Sequence, residues 1–179
     1  MKLIILDRDG VINQDSDDYI KSPEEFIPLA GSIEAIARLH RAGYRIAIAT
    51  NQSGIARGYF DIETLNRMHE KLLRLVSAQG GQIDGIFYCP HGPDDGCECR
   101  KPRPGLLQDI QRRFNVNMSG VYAVGDSLRD VQAAQAVGAM PVLVKTGKGE
   151  RTIEKGEGLD GVPIYKDLAV FVDELLAQE

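Results

Sequence analysis

The sequence predicts an α/β fold: a Rossmann-like, mostly parallel sheet with helices on both faces. Two observations carry that expectation. Short apolar, β-rich runs recur along the chain, separated by amphipathic stripes at helical spacing. The first run, Leu3-Ile4-Ile5-Leu6, is continuously apolar rather than alternating, as suits a strand buried on both faces. Alternating strands and helices call for crossover connections, which set successive strands parallel and place helices on either side. The 179 residues fit one domain, residues 1–179, with no internal repeat and no second core.

The first strand ends abruptly in Asp7-Arg8-Asp9-Gly10. Residues two apart in an extended chain leave it on the same side, so Asp7 and Asp9 project together into the crevice at the sheet's carboxyl edge. Two adjacent anions repel and need a cation or a held proton. Mg²⁺ is the economical reading, although Asp-x-Asp also occurs in turns and caps. Ser32 then opens a helix carrying Ile33, Ile36 and Leu39, which closes near Gly43. Tyr44 to Thr50 is the second strand, and Asp61 caps a long helix with the stripe Ile62, Leu65, Met68, Leu72, Leu75 and Val76. Ile83 to Cys89 is the third strand, followed by a helix marked by Leu106, Leu107, Ile110 and Phe114. Val121 to Asp126 is the fourth, with Leu128, Val131, Ala134 and Val137 behind it. Pro141 to Val144 is the fifth and Val162 to Tyr165 a weaker sixth, before Asp167 opens a last helix bearing Leu168, Phe171, Val172 and Leu175. These stripes are expected to face the core. Pro90 to Pro104 and Gly147 to Gly161 break the rhythm, and the second, with five glycines, reads as a surface loop or flap.

A net charge of -5 and a pI near 5.3 leave no basic footprint for nucleic acid or an anionic membrane. No run approaches a membrane span, and the apolar start is too short for a signal peptide before it meets Asp7. The three cysteines all fall between Cys89 and Cys99, which favours a metal site in a reducing compartment, with the cytoplasm as the expected address. Cys89, His91, Cys97 and Cys99 follow the spacing Cys-x-His-x5-Cys-x-Cys. Three thiolates and one imidazole close a tetrahedral shell with no vacancy, so a structural Zn²⁺ is indicated. His40 and His69 read as ordinary helix-face residues. Nothing marks an interface, so a monomer is expected.

Polar clusters fall at several strand ends: Asp7 and Asp9 at the first, Thr50-Asn51-Gln52-Ser53-Gly54 at the second, Gly125-Asp126-Ser127-Leu128-Arg129-Asp130 at the fourth. Arg100-Lys101 stands ahead of Pro102 and a helix. In a parallel sheet these strand ends share one edge, which assembles carboxylates, a hydroxyl, amides and cations, the set that phosphoryl transfer needs. Asp7-Arg8-Asp9-Gly10, Thr50-Asn51-Gln52, Lys101 and Gly125-Asp126 with Asp130 resemble, in order, the four motifs of the haloacid-dehalogenase-like phosphatases. More narrowly, Asp-Arg-Asp-Gly-Val-Ile-Asn, Thr-Asn-Gln-Ser-Gly-Ile-Ala-Arg-Gly and Cys-x-Cys-Arg-Lys-Pro are similar to the heptose-bisphosphate phosphatases of that superfamily, in its zinc-containing, histidinol-phosphatase-like branch. The likeness spans residues 3 to about 147.

The resemblance implies a Mg²⁺-dependent phosphatase that takes the 7-phosphate from a small sugar bisphosphate, in the supply of nucleotide-activated heptose for lipopolysaccharide core. Asp7 is the implied nucleophile, forming an aspartyl-phosphate, and Asp9 the acid and base. Mg²⁺ is implied on Asp7, the Asp9 carbonyl and Asp126, with Thr50 and Lys101 holding the phosphoryl oxygens. Asp130 either takes part, orients Lys101 or caps a helix. The segments Gly10–Ser32 and Asn51–Cys89 leave no room for a large cap domain, so loops around an open crevice set specificity. Asn51, Gln52 and Ser53 line it, Arg57, Arg100 and Lys148 are available for a second phosphate, and Asp15 and Tyr19 for sugar hydroxyls. Ser127 stands where some relatives carry Lys, and Arg129 is the substitute. Zinc on Cys99 is expected to fix the backbone beside Arg100-Lys101. The nearest rival reading is a histidinol-phosphate phosphatase, against which Arg57 weighs. From another class, a phosphoaccepting receiver domain takes its phosphoacceptor from the third strand rather than the first.

Overall fold

Alternation of side chains along the central strands sorts the apolar residues into two layers. In the computed structural model, which describes residues 1–179, β1 (Lys2–Leu6) turns Ile4 and Leu6 to one face and Leu3 and Ile5 to the other. β2 (Tyr44–Asn51) does the same with Ile46 and Ile48 against Ala47 and Ala49. The first face is covered by α1 (Ser32–Arg41), α2 (Ile62–Ala78) and α6 (Leu168–Ala177). The second is covered by α3 (Gly105–Phe114) and α4 (Leu128–Ala136). Each fully buried aliphatic side chain in these layers contributes roughly 1.5–3 kcal/mol.

β3 (Gly85–Cys89), β4 (Tyr122–Gly125), β5 (Met140–Val144) and β6 (Ile164–Tyr165) complete one parallel sheet in the order β3-β2-β1-β4-β5-β6. The chain winds outward one way from β1 through β2 and the other way from β4, so the order reverses between β1 and β4. Connections leave their carboxyl ends in opposite directions there and open a crevice. Asp7, Asn51 and Asp126 all stand at that edge. Only a 3₁₀ turn (Pro23–Glu25) interrupts the loop from β1 to α1, and only α2 separates β2 from β3, so no cap domain is inserted. No helix is long and apolar enough to cross a membrane.

Three sequence expectations shift. Ser32 is the first residue of α1 rather than its cap, because Gly31 tolerates the left-handed backbone (φ 79°) at the cap position. The Ser32 hydroxyl instead donates to the Ile12 and Leu29 carbonyls at 2.7 and 2.9 Å, tying the first loop to the helix. Ile62, in the first turn of α2, is 47% exposed and leaves the core stripe, which runs through Leu65, Met68, Leu72 and Val76. The glycine-rich stretch after Gly147 contains a short helix, α5 (Gly149–Lys155), rather than a loop throughout. The Asp61 and Asp167 caps form as expected, accepting from the Thr64 and Val170 amides at 2.8 Å.

The two ends of the α2 stripe therefore differ in weight. Leu65→Ala is expected to cost about 2–5 kcal/mol of unfolding free energy, and Ile62→Ala less than about 0.5 kcal/mol, read from urea midpoints at constant slope.

Candidate active site

Lys101 is 4% exposed and its ammonium is surrounded by acceptors. It donates to the Ala49 carbonyl (2.7 Å) and Asp130 Oδ1 (2.6 Å), and lies 3.1 Å from Asp7 Oδ1. Burial alone would lower its pKa, but Asp130 and Asp7 outweigh that and drive it well above the usual lysine value. The Asn51 side chain clasps the Lys101 backbone, accepting its N–H at 3.0 Å and donating to its carbonyl at 3.1 Å. Asp130 does two jobs that the sequence left as alternatives. One oxygen pairs with Lys101, while the other accepts from the Asp126 and Ser127 amides and the Ser127 hydroxyl in a capping box at the start of α4.

Asp9 is held from behind. Arg8, fully buried, donates to its Oδ1 through Nε (2.9 Å) and Nη2 (2.7 Å), and Asn13 Nδ2 adds a third contact at 2.8 Å. Asp9 Oδ2 receives only Gln52 Nε2, at 3.2 Å, whose amide also donates to Thr50 Oγ1 at 2.9 Å. Burial would raise the Asp9 carboxyl, but the Arg8 charge and these donors hold it below the usual range. His69 is not an ordinary helix-face residue. It is 7% exposed, with Nε2 3.2 Å from Arg8 Nη1, and burial and Arg8 push its pKa down to about 3.

Asp126 is the electrostatic counterpart. Its Oδ2 accepts the Lys148 amide (2.9 Å), while burial and the charges of Asp7 and Asp130 push its pKa up to about 9. Asp7 rises to about 7, first from burial and then from Asp130. Ligand atoms of Asp7, Asp126 and Asp130 lie within 4.8 Å of one another. One lysine does not balance three carboxylates, so the set fits a divalent cation. Backbone crowds this point: a Cβ on Gly147 would stand 2.4 Å from both Gly10 Cα and Asp126 Oδ2. Thr146 and Thr152 donate to the Gly10 and Asp126 carbonyls, at 2.6 and 2.9 Å, so the α5 segment is part of the site.

These groups floor a polar cleft of about 320 Å³. Its walls include Asp15, Tyr19, Asn51, Gln52, Ser53, Arg57, Arg100 and Ser127, so every residue proposed from sequence for substrate contact reaches it. Arg129 and Lys148 line it as well. Arg57 stacks over the Tyr19 ring (5.6 Å), and Tyr19, in left-handed backbone (φ 67°), packs against Tyr59 at 5.2 Å. Burial first, and then the Arg129 and Arg57 charges, lower the Arg100 pKa, while Cys89 and Cys97 pull it the other way. Lys148 reaches across to Asp15 at 3.4 Å.

Beside the cleft, the Cys89, His91, Cys97 and Cys99 ligand atoms converge. Cys89 Sγ lies 3.6 Å from Cys97 Sγ and 3.5 Å from His91 Nδ1, and His91 Nδ1 lies 3.3 Å from Cys99 Sγ. Bonds of about 2.0–2.3 Å to one Zn²⁺ need ligand spacings of this order. All three cysteines are free of disulfides.

Sequence reasoning missed Arg8, Asn13, His69 and the Lys148 amide. A signal existed for His69, which falls four residues after Leu65 and three before Leu72, on the buried stripe of α2. Arg8 carried a weaker one, a cation wedged between two carboxylates at the end of a buried strand.

A family model for HAD-hydrolase-like proteins matches residues 98–170. The D-glycero-beta-D-manno-heptose-1,7-bisphosphate 7-phosphatase of Pseudomonas putida is 58% identical over 98% of this chain and 100% of its own length. The crystal structure of D,D-heptose 1,7-bisphosphate phosphatase from Bordetella bronchiseptica, complexed with magnesium and phosphate, matches with a TM-score of 0.98 at 56% identity, covering 100% of both chains. That from Burkholderia thailandensis matches with a TM-score of 0.79 at 44% identity over 99% of each. Similarity at this level runs from end to end, and the chain belongs to the heptose-1,7-bisphosphate 7-phosphatase family of HAD-like hydrolases, as a phosphoric monoester hydrolase.

Proposed function

We propose that the enzyme removes the 7-phosphate of D-glycero-β-D-manno-heptose 1,7-bisphosphate through an aspartyl-phosphate on Asp7. The observation that carries this substrate is the gathering of Arg57, Arg100 and Arg129 in the same cleft as the acidic floor. A second phosphate meets that arginine cluster, which stands beside the acidic floor of the cleft. Histidinol phosphate would bring a cationic amine to it instead. The supply of nucleotide-activated heptose as the downstream use rests on the family resemblance.

Arg8 holds Asp9 ionised in the free site, so Asp9 takes up a proton as the anionic substrate binds. In the first step the Asp7 carboxylate attacks phosphorus, the bond from phosphorus to the sugar oxygen breaks, and Asp9 gives that oxygen the proton. In the second, water attacks phosphorus, Asp9 takes its proton, and the bond to Asp7 breaks to release phosphate. Lys101, aimed by Asp130 and clasped by Asn51, neutralises phosphoryl oxygens together with the Thr50 hydroxyl. Mg²⁺, held by the Asp7 and Asp126 carboxylates and the Asp9 carbonyl, supplies further positive charge against the phosphoryl group. Uncatalysed phosphate-monoester hydrolysis is slow enough that enhancements reach about 10²¹-fold, so this much charge stabilisation is required. Cys89, His91, Cys97 and Cys99 would hold a Zn²⁺, which would anchor the loop that ends in Arg100-Lys101.

Kinetics on both anomers of heptose 1,7-bisphosphate, with histidinol phosphate for comparison, test the substrate. Arg57→Ala and Arg100→Ala are each expected to lower kcat/KM for the bisphosphates about 10–100-fold, the loss of a charge-assisted contact, and to change histidinol phosphate little. A wild-type preference for histidinol phosphate would overturn the assignment.

The raised carboxyl groups set a pH dependence. Asp7 and Asp126 in the folded chain titrate near about 7 and 9, above an unfolded value near ~3.9. Their contribution to stability is full below pH ~4 and is lost as pH rises through the folded values. Asp9 and Asp130 are shifted the other way and titrate below that window. His69, pushed down to about 3, adds stability as pH rises toward ~6.5 and opposes the loss there. Metal-free protein is therefore expected to lose melting temperature between pH ~6.5 and ~9 in calorimetry, and saturating Mg²⁺ to flatten the slope.

Chelating zinc from the folded enzyme is expected to lower turnover under saturating Mg²⁺ and also to lower Tm. Full turnover in a verified zinc-free, folded sample would refute the anchoring role.

A further inference from the structure

We propose that Arg8, braced by His69, is a positioning residue that saturates one oxygen of Asp9 and reserves the other for proton transfer. The inference rests on the reading of Asp9 as acid and base. A carboxylate oxygen offers two lone pairs, and Asp9 Oδ1 already faces three N–H groups, from Arg8 Nε, Arg8 Nη2 and Asn13 Nδ2, at 2.7–2.9 Å. A proton has no place there. Oδ2, with one longer contact from Gln52 at 3.2 Å, is the oxygen that carries it to the sugar oxygen and later receives it from water. Gln52 and Thr50, beside Oδ2, both line the cleft.

The far side of Arg8 explains how the guanidinium keeps its aim. A guanidinium only donates, so the His69 Nε2 atom 3.2 Å from Nη1 is an acceptor and His69 carries its proton on Nδ1. The Phe26 ring lies 5.4 Å from Arg8 Cζ and closes a further side. The planar fork is thus gripped at both ends, carboxylate on one and imidazole on the other. A lysine offers no such fork. The bland alternative is a buried cation that merely offsets the Asp9 charge, with His69 as filler.

Leaving-group dependence separates the two. A sugar oxygen needs the proton to depart, whereas p-nitrophenolate leaves without one. The measurement is the single-turnover rate of the first step for heptose 1,7-bisphosphate and for p-nitrophenyl phosphate, under saturating Mg²⁺, in Arg8→Met, Arg8→Lys, His69→Phe and His69→Gln. General acid catalysis contributes about 10²–10⁴-fold, so Arg8→Met and Arg8→Lys are expected to slow the sugar substrate about 100-fold and His69→Phe about 10-fold. Release of p-nitrophenolate should slow less than about 3-fold in each, with KM for the sugar within about 3-fold of the parent. His69→Gln, which keeps an acceptor, should recover most of the rate lost in His69→Phe. Equal slowing of both substrates, no slowing of either, or a His69→Gln variant as slow on the sugar substrate as His69→Phe would overturn the proposal. Should the Arg8 variants fail to fold, the two His69 variants decide by the same criteria. Asp9→Asn tells the two readings apart: if it hydrolyses the sugar phosphate at the parent rate, the assignment of Asp9 fails and this inference falls with it. If Asp9→Asn is inactive while Arg8 and His69 variants show no leaving-group bias, only the inference falls.

Discussion

The site depends on one buried ammonium. Lys101 stands between Asp7 and Asp130, 3.1 and 2.6 Å away, in surroundings that would otherwise favour its neutral form. Removing one partner from such a buried pair costs about 3–5 kcal/mol, because the other charge stays behind without water. The lysine therefore keeps Asp130 ionised, and Asp130 in turn accepts the Asp126 and Ser127 amides at the start of α4. Through Asn51 the same lysine is locked to the end of β2. Three strand ends, β1, β2 and β4, are cross-linked by a single side chain and the residues that grip it.

The carboxylates around this lysine are tuned in opposite directions by their neighbours. Asp9 backs onto Arg8 and is held ionised, while Asp7 and Asp126 face each other and Asp130 and are pushed toward the protonated form. Burial is shared by all of them, so the difference comes from which charges stand within reach. A site divided in this way gives Asp9 its own cation, has Asp7 and Asp130 share Lys101, and pairs Asp126 with no cation of the chain.

With no cap domain, enclosure of the cleft falls to short segments tied across it. Lys148 pairs with Asp15 and Arg151 with Asp17, linking the α5 segment to the loop after β1. Arg151 and Asp17 are exposed and their pairing is weak. Thr146 on the Gly10 carbonyl and the bare Gly10–Gly147 contact do more to bring the two segments together, since any side chain there would collide with backbone.

The sheet, its parallel strands, the acidic pair, the hydroxyl–amide run at the end of β2 and the cluster of three cysteines and a histidine from the end of β3 onward were legible in sequence. Each is a local pattern: apolar periodicity, or residue types at fixed spacing on one short segment. The supports were not. Arg8 reads as one more charge until α2 is laid against β1 and brings His69 to its guanidinium, sixty-one residues away along the chain. The second task of Asn51 shows only when the loop from β3 folds back and places the Lys101 backbone on its amide. The α5 helix hides among glycines because its cohesion comes from Asp126, Gly10 and the Leu143–Val162 cluster rather than from a stripe of its own. Sequence alone determined which chemistry stands at the strand ends, because residue type and strand register are local. Only the tertiary structure decided which donor meets which carboxylate oxygen, because that pairing depends on distances between segments far apart in the chain.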